Sequence, residues 1–445
     1  MTYYVVSAAQ PSLYVSGGSS IPSLGGSARM KRISIVVVAV LAIQGVALAM
    51  PTKQFPAGTV DFNHGSSVVA AGGAATSDKP ESKLFFTSDN RWWAVLGNSS
   101  GSQGPGAYLY ELVNHSWRER MRLPGSDPWM RADALLKGQN LYIALRDNRS
   151  VTGNPRQSVL YRLTYRGAGS WSPPTQPSLI TKINVEALTI ALDSQGRLWT
   201  AFRRRTGGQQ VVTVGHTQPG GTTFTLETLA TGVSSDDLAA VTSFDGASGS
   251  RIGVMWSDQV SKTFRFAWRS DSDPFGSWNR EVAYGGGLGC GSGKACADDH
   301  LNMTAHNGSI HAAVKTSLND STPVAADPLI VLLRRDAAGT WGSFPVSPVS
   351  ENASRPVVLL SPSTDRVYVF ATYKGVSVWE SSLSSPSFSA ANRTPWTAGG
   401  TGNPTPGPPG VPNPLREVSP PCDRPGSPSL GEGRGSRSPR RRRSP

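Results

Sequence analysis

Through the middle of this chain, apolar residues fall in short runs that recur. Six runs alternate as half-buried strands do: Arg91–Leu96, Asn140–Leu145, Arg197–Phe202, Arg251–Trp256, Ser309–Val314 and Arg366–Ala371. Most follow a pair of turn-forming residues: Asp89-Asn90, Lys137-Gly138, Gln195-Gly196, Asn307-Gly308 and Thr364-Asp365. Another apolar segment precedes each turn, such as Ala187–Ala191 or Val357–Leu360. Downstream comes a second marker, a Gly-Ser/Thr-aromatic turn or a looser form of it. Its aromatics are Trp117, Trp171, Phe224, Trp278, Trp341 and Phe388, at steps of 54, 53, 54, 63 and 47 residues.

Each unit thus predicts strand, tight turn, strand, variable loop, strand, aromatic turn, strand. Four antiparallel strands in about fifty residues make one blade of a β-propeller, where radial repetition protects the sheet edges. A blade is covered on both faces by its neighbours, which explains apolar residues at both parities of the second strands. The recurring Trp and Phe are expected to wedge between sheets. The fold expected is all-β, a six-bladed β-propeller of four-stranded antiparallel blades over residues 50–392. Residues 59–70 are candidates for the strand that closes the ring.

Composition fits this picture, with 48 Gly and 34 Pro among 445 residues and no Leu/Ala/Glu/Lys-rich helical stretches. The formal net charge of +13 would suggest a nucleic-acid partner, but it sits at the ends. Residues 1–49 hold three basic and no acidic side chains and residues 390–445 nine and three, leaving +4 for residues 50–389. No nucleic-acid partner is expected. Met30-Lys31-Arg32, the apolar run Ile33–Leu48 and Ala47-Leu48-Ala49 have the three parts of a secretory signal peptide, residues 30–49. The alternative is a short membrane anchor; cleavage leaves no membrane span, and a secreted or periplasmic location. Residues 1–29 are expected to be an upstream artefact or disordered. The Pro/Gly/Ser/Arg-rich tail, residues 393–445, should also be disordered, because it cannot bury enough apolar surface. Its Arg440–Arg443 run could touch RNA or a membrane, against the alternatives of a linker or a frame-shifted end.

The pieces Asp273–Trp278 and Asp336–Trp341 read Asp-x-x-Gly-x-Trp. They resemble degenerate Asp-box turns of the sialidase-like (BNR-repeat) propellers, with coverage of about residues 80–390. The Ser/Thr-x-Asp opening is not kept, and the other four copies lack the Asp. The resemblance implies the architecture first, and an exported, carbohydrate-engaging propeller second.

In a propeller, the loops leading into each innermost strand share one face with the loops leaving each second strand, and function collects on such loops. The first set carries Arg131, Asp133, Glu186, Asp236, Asp237, Asp298-Asp299-His300 and Arg355; the second carries Arg146, Asp147, Arg203-Arg204-Arg205, Asp258, Lys315 and Tyr373-Lys374. Three chemistries fit. A sialidase-like hydrolase of an acidic glycan would use Arg131, Arg146, Arg203 and Arg355 to hold a carboxylate, Tyr373 with Glu186 as nucleophile, and Asp236 or Asp237 as acid. No copy of the family's Arg-Ile-Pro motif is found near the first strand. A lyase of uronic acid polymers would use His300 and Tyr373 to move protons; Asp298–Asn302 is similar to the Asp-Asp-His-Asn element of propeller lyases. A non-catalytic propeller would bind a glycan or protein through Trp92, Trp93 and Tyr373 as platforms. Asp133, Asp258, Asp299 and Lys315 complete the expected binding set.

Cys290 and Cys296 flank the loop before Asp298, and export favours a disulfide. A metal pair completed by His300 is the alternative, and lacks a fourth ligand. Gly285–Lys294 matches no phosphate loop, and no cofactor is expected.

Overall fold

The computed structural model describes residues 80–398, apart from 115, 148–156, 184, 247–248 and 321. The signal segment, the proposed closing strand 59–70 and the tail from 401 lie outside the described residues. Twenty-five strands form six sheets, and no α-helix is present among the described residues.

The first blade is β1 (Leu84–Thr87), β2 (Arg91–Asn98), β3 (Gly106–Val113) and β4 (Ser116–Arg122). The second is β5 (Met130–Lys137), β6 (Asn140–Asp147) and β7 (Ser158–Gly167), with an outer strand in two parts, β8 (Ser170–Trp171) and β9 (Ser178–Thr181). Pro173, Pro174 and Pro177 separate these parts, and proline has no N–H to give a ladder. The third blade is β10 (Thr189–Leu192), β11 (Leu198–Thr206), β12 (Gln209–His216) and β13 (Thr225–Thr231). The fourth is β14 (Ala239–Gly246), β15 (Gly249–Asp258), β16 (Thr263–Ser270) and β17 (Asn279–Tyr284). The fifth is β18 (Leu301–His306), β19 (Ser309–Lys315), β20 (Pro328–Arg335) and β21 (Trp341–Pro348). The sixth is β22 (Ser354–Ser361), β23 (Arg366–Thr372), β24 (Gly375–Ser382) and β25 (Arg393–Ala398). β25 lies past the boundary expected at residue 392. The protein is a six-bladed β-propeller of four-stranded antiparallel blades.

The turns between first and second strands use left-handed residues where the sequence offers Asn, Asp or Gly, with φ of 63° at Asn90, 57° at Gly138 and 51° at Asp365. The core is distributed between blades. One buried cluster joins Trp93 and Val95 to Leu141 and Ile143, and another joins Met255 and Phe266 to Ile310 and Leu333. Three of the turn aromatics are wedges between blades, whereas Trp117 packs on a cluster of its own blade. Trp171 of the second blade meets Trp93 of the first edge-on at 5.3 Å. Trp278 meets Trp199 at 5.8 Å, and Trp341 meets Phe266 at 5.4 Å, again each from one blade into the blade before. Phe224 packs on a cluster holding Leu135 and Tyr142. Burying such a side chain stabilises by roughly 2–3 kcal/mol.

Innermost strands are knitted by side chains as well as by packing. Asp133 on β5 accepts from the Ile190 backbone N at 2.7 Å, Thr189 from Val241 N at 2.9 Å, and Asn302 from Val358 N at 3.0 Å. No helix among the described residues is long and apolar enough to cross a membrane.

Candidate functional site

The propeller has one face where the chain enters its innermost strands, and an acid stands three residues before each of them. Glu81, Asp127, Glu186, Asp236, Asp298 and Glu351 precede β1, β5, β10, β14, β18 and β22 by the same count. Sixfold topology therefore sets six carboxylates in register around the mouth. How each is satisfied differs.

Glu81 is fully buried. It pairs with the Arg146 guanidinium at the end of β6, accepts from Leu188 N at 3.1 Å, and lies 3.6 Å from the Lys83 ammonium. Beside it, Asp133 accepts from Ser82 N at 2.5 Å as well as from Ile190 N. Burial pushes the Asp133 carboxyl up to about 7, with the Glu81 charge adding to the rise and the two backbone N–H groups opposing it. Arg131 is buried and donates to the Trp129 carbonyl at 3.0 Å. Arg131, Asp133 and Arg146 are thus built into the wall where the first three blades meet. Glu81 was missed by the sequence reading, which took no position before the first blade; the recurring acid three residues ahead of each inner strand is the signal that finds it.

The other half of the mouth is more open. Carboxylate oxygens of Glu186, Asp236 and Asp299 lie within 4.8 Å of one another, although they come from the loops into three successive blades. Arg203 Nη2 donates to Glu186 at 2.8 Å, and Nη1 to Gln210 at 3.2 Å. His300 Nδ1 is 2.6 Å from Asp299 and 2.5 Å from Asp298. Lys315 pairs with the far oxygen of Asp298. Burial works to raise the Asp298 carboxyl, but His300 and Lys315 outweigh it and hold it below the usual range. The Asp236 side chain is exposed, and no ion pair or hydrogen bond holds its carboxylate among the described residues. Its neighbour Asp237 is fully buried and closes the loop by accepting from Ser234 N at 2.5 Å and Gln259 N at 3.1 Å; burial raises its carboxyl. Asp298, Asp299 and His300 form a second group with ligand atoms within 4.8 Å of one another.

A disulfide joins Cys290 to Cys296, with Cα atoms 6.2 Å apart. The loop it closes is anchored where Ser317 N donates to Ala295 O at 3.1 Å, directly ahead of Asp298. Gly285 is required in this loop: φ is +93°, and a Cβ would stand 2.7 Å from the Lys262 carbonyl.

Asp258, Arg355 and Tyr373 sit on other segments. Asp258 accepts from Arg265 Nε at 2.8 Å and from Ser261 N at 3.0 Å, which fixes its own loop. Arg355 is exposed at a bulge in β22, with φ of +56° ahead of Pro356. Such a conformation costs a β-carbon residue about 1–2 kcal/mol and re-aims its side chain. Tyr373 occupies the turn after β23, its ring under the Arg393 guanidinium at 4.5 Å and beside the Lys374 ammonium at 5.3 Å. The Tyr373 hydroxyl makes no hydrogen bond to Glu186, whose partner is Arg203. The expected nucleophile couple is not hydrogen-bonded, and Arg131, Arg146 and Arg203 bond the Trp129 carbonyl, Glu81 and Glu186 respectively. Trp93 is fully buried and Trp92 packs on Phe86 at 5.1 Å, so neither is an open stacking platform.

No protein-family model matches the chain, and a search of curated proteins finds no match either. Solved structures give a loose likeness to sialidase-like propellers. An α-L-arabinanase of Penicillium chrysogenum is 13% identical, over 69% of this chain and 94% of that one, with a TM-score of 0.40. The sialidase of Trypanosoma rangeli is 14% identical, over 68% and 57%, at 0.41. The polysaccharide lyase Uly1 is 12% identical, over 77% and 85%, also at 0.41. Each is a protein this chain is similar to in architecture, and no residue role is taken from any of them.

Proposed function

We propose that the protein engages carbohydrate at the axial mouth and cleaves a glycosidic bond there, with Glu186, Asp236 and Asp299 as its acid–base group. The observation that carries this is the approach of three carboxylates within 4.8 Å, one of them without a partner among the described residues. Glycoside hydrolysis needs a protonated carboxyl for the leaving oxygen and an ionised one for the anomeric carbon, and close spacing suits direct attack better than an interposed water. Arg203 orients Glu186, and His300 orients Asp299. Arg205 and Arg355, exposed and without a carboxylate partner among the described residues, suit an acidic glycan lying across the rim.

A second reading, binding without turnover, is favoured by the engagement of Arg131 and Arg146 in the wall and by the lack of a hydrogen bond between Tyr373 and Glu186. The protein is screened against sialosides, uronate polymers, neutral polysaccharides and a glycan array. Hydrolysis that falls at least 100-fold in Asp236→Asn and Asp299→Asn supports the proposal. Binding without products supports the second reading, and an unsaturated-uronate absorbance would transfer the chemistry to His300 as a lyase base. We further propose that the mature chain is exported; its disulfide suits an oxidising compartment, and retention of the protein in the cytosol would contradict this.

A further inference from the structure

On the face opposite the mouth, a cavity of about 270 Å³ opens between the fifth and sixth blades. Its lining includes His306, Ser309, His311, Arg334, Asp336 and Ser384. His311 on β19 and Arg334 on β20 are register partners in one sheet. Arg334 spans to the next blade, where Nη1 donates to the carbonyls of Leu383 and Ser384 at 3.3 and 2.9 Å.

Among the described residues, Arg334 lacks a paired counter-charge here, and His311 Nδ1 lacks a hydrogen-bond partner. Several half-buried or buried arginines meet a carboxylate: Arg146 has Glu81, Arg197 has Asp193, Arg203 has Glu186, Arg335 has Glu281 and Arg393 has Glu351. Arg334 has no carboxylate partner among the described residues. Asp336 also lines the cavity; its Oδ1 accepts from Thr340 N at 2.8 Å, and its charge opposes that of the guanidinium, so an anion must sit on the Arg334 side. His311 is 3% exposed, and its Nδ1 has no hydrogen-bond partner among the described residues. Buried polar atoms are ordinarily satisfied, and the exceptions call for a missing partner. Burial, reinforced by Arg334 and His306, pushes the His311 imidazole down to about 3, so it is neutral at physiological pH and the cavity's fixed positive charge is the guanidinium.

We propose that this cavity is a second binding site, for a small oxyanion (a carboxylate, sulfate or phosphate group) held by Arg334 with the His311 ring and the Ser309 hydroxyl around it. Arginine's planar fork matches such groups, and the volume admits an anion carrying one sugar-sized body. The site is separate from the mouth, so its success or failure is independent of the glycosidase reading.

The test follows the imidazole resonances of the full chain by NMR, with sodium sulfate, sodium phosphate and sodium glucuronate as probes at constant ionic strength and glucose as the uncharged control. A saturable shift of His311 with an oxyanion and none with glucose is expected. Arg334→Gln should weaken it about tenfold or more. Ser309→Tyr, which fills the cavity without removing a named hydrogen bond, should abolish it while the near-UV circular dichroism stays native; it carries the test alone if Arg334→Gln loses the fold. Response to sulfate and phosphate only identifies an inorganic or ester oxyanion, and response to glucuronate only identifies a sugar acid. No saturable shift in any arm, a shift that glucose matches, or one that survives Ser309→Tyr overturns the proposal.

Discussion

Replacing Asp133 by Asn should change how stability depends on pH, and by an amount set by one carboxyl group. Asp133 is 1% exposed, and its carboxyl is pushed from its ordinary 3.8 up to about 7. The folded chain therefore holds this proton more tightly than the unfolded chain does. Its contribution is fully present below pH 3.8 and is lost as pH rises to about 7. A rise of roughly three pH units at 1.36 kcal/mol each amounts to about 4 kcal/mol. In Asp133→Asn the side chain is always neutral. One carboxamide group then faces a backbone N–H, a fixed penalty that does not titrate. Urea denaturation of both proteins from pH 4 to pH 8 reads the difference, in which shifted groups such as Asp237 and Asp298 cancel. The variant should gain about 4 kcal/mol relative to the parent across that range. A difference constant within about 0.5 kcal/mol would show that Asp133 stays ionised throughout, and that its two backbone donors outweigh its burial.

The remaining predictions concern the wall and the disulfide loop. Glu81→Gln removes a buried counter-charge of Arg146 and Lys83 and should lower the unfolding free energy by about 3–5 kcal/mol in urea; adding Arg146→Met should restore much of it. Cys290→Ser with Cys296→Ser opens a loop six residues apart in sequence and should cost about 2 kcal/mol, with faster amide exchange at residues 297–300. Unchanged exchange there would mean that the Ser317–Ala295 bond holds the segment by itself.

Blade architecture was legible in the sequence because it is written in local patterns. All six alternating runs fall in second strands, and Asn90, Gly138 and Asp365 make the left-handed turns their residue types allow. Trp171, Trp278 and Trp341 lie where a wedge was expected because only a large apolar side chain fills the gap between twisted sheets. The disulfide was legible from spacing. The mouth was legible only as a set of polar positions. Whether Arg146 faces a ligand or Glu81 depends on a contact 65 residues away, and whether Tyr373 meets Glu186 depends on blade-to-blade distance. The aim of Arg355 depends on a bulge ahead of Pro356 that no periodicity announces. Charge pairing across blades is three-dimensional information, and strand periodicity does not carry it.

Trp171, Trp278 and Trp341 each lodge in the blade before their own. The arrangement runs one way along the chain, and this bears on how the ring is made. A host sheet leaves the ribosome some fifty residues before the indole ring that completes it. Until that guest arrives, the newest sheet keeps an uncovered flank. Assembly during synthesis is therefore a rolling process, each blade finished by the next, with an incomplete growing end until the last sheet docks.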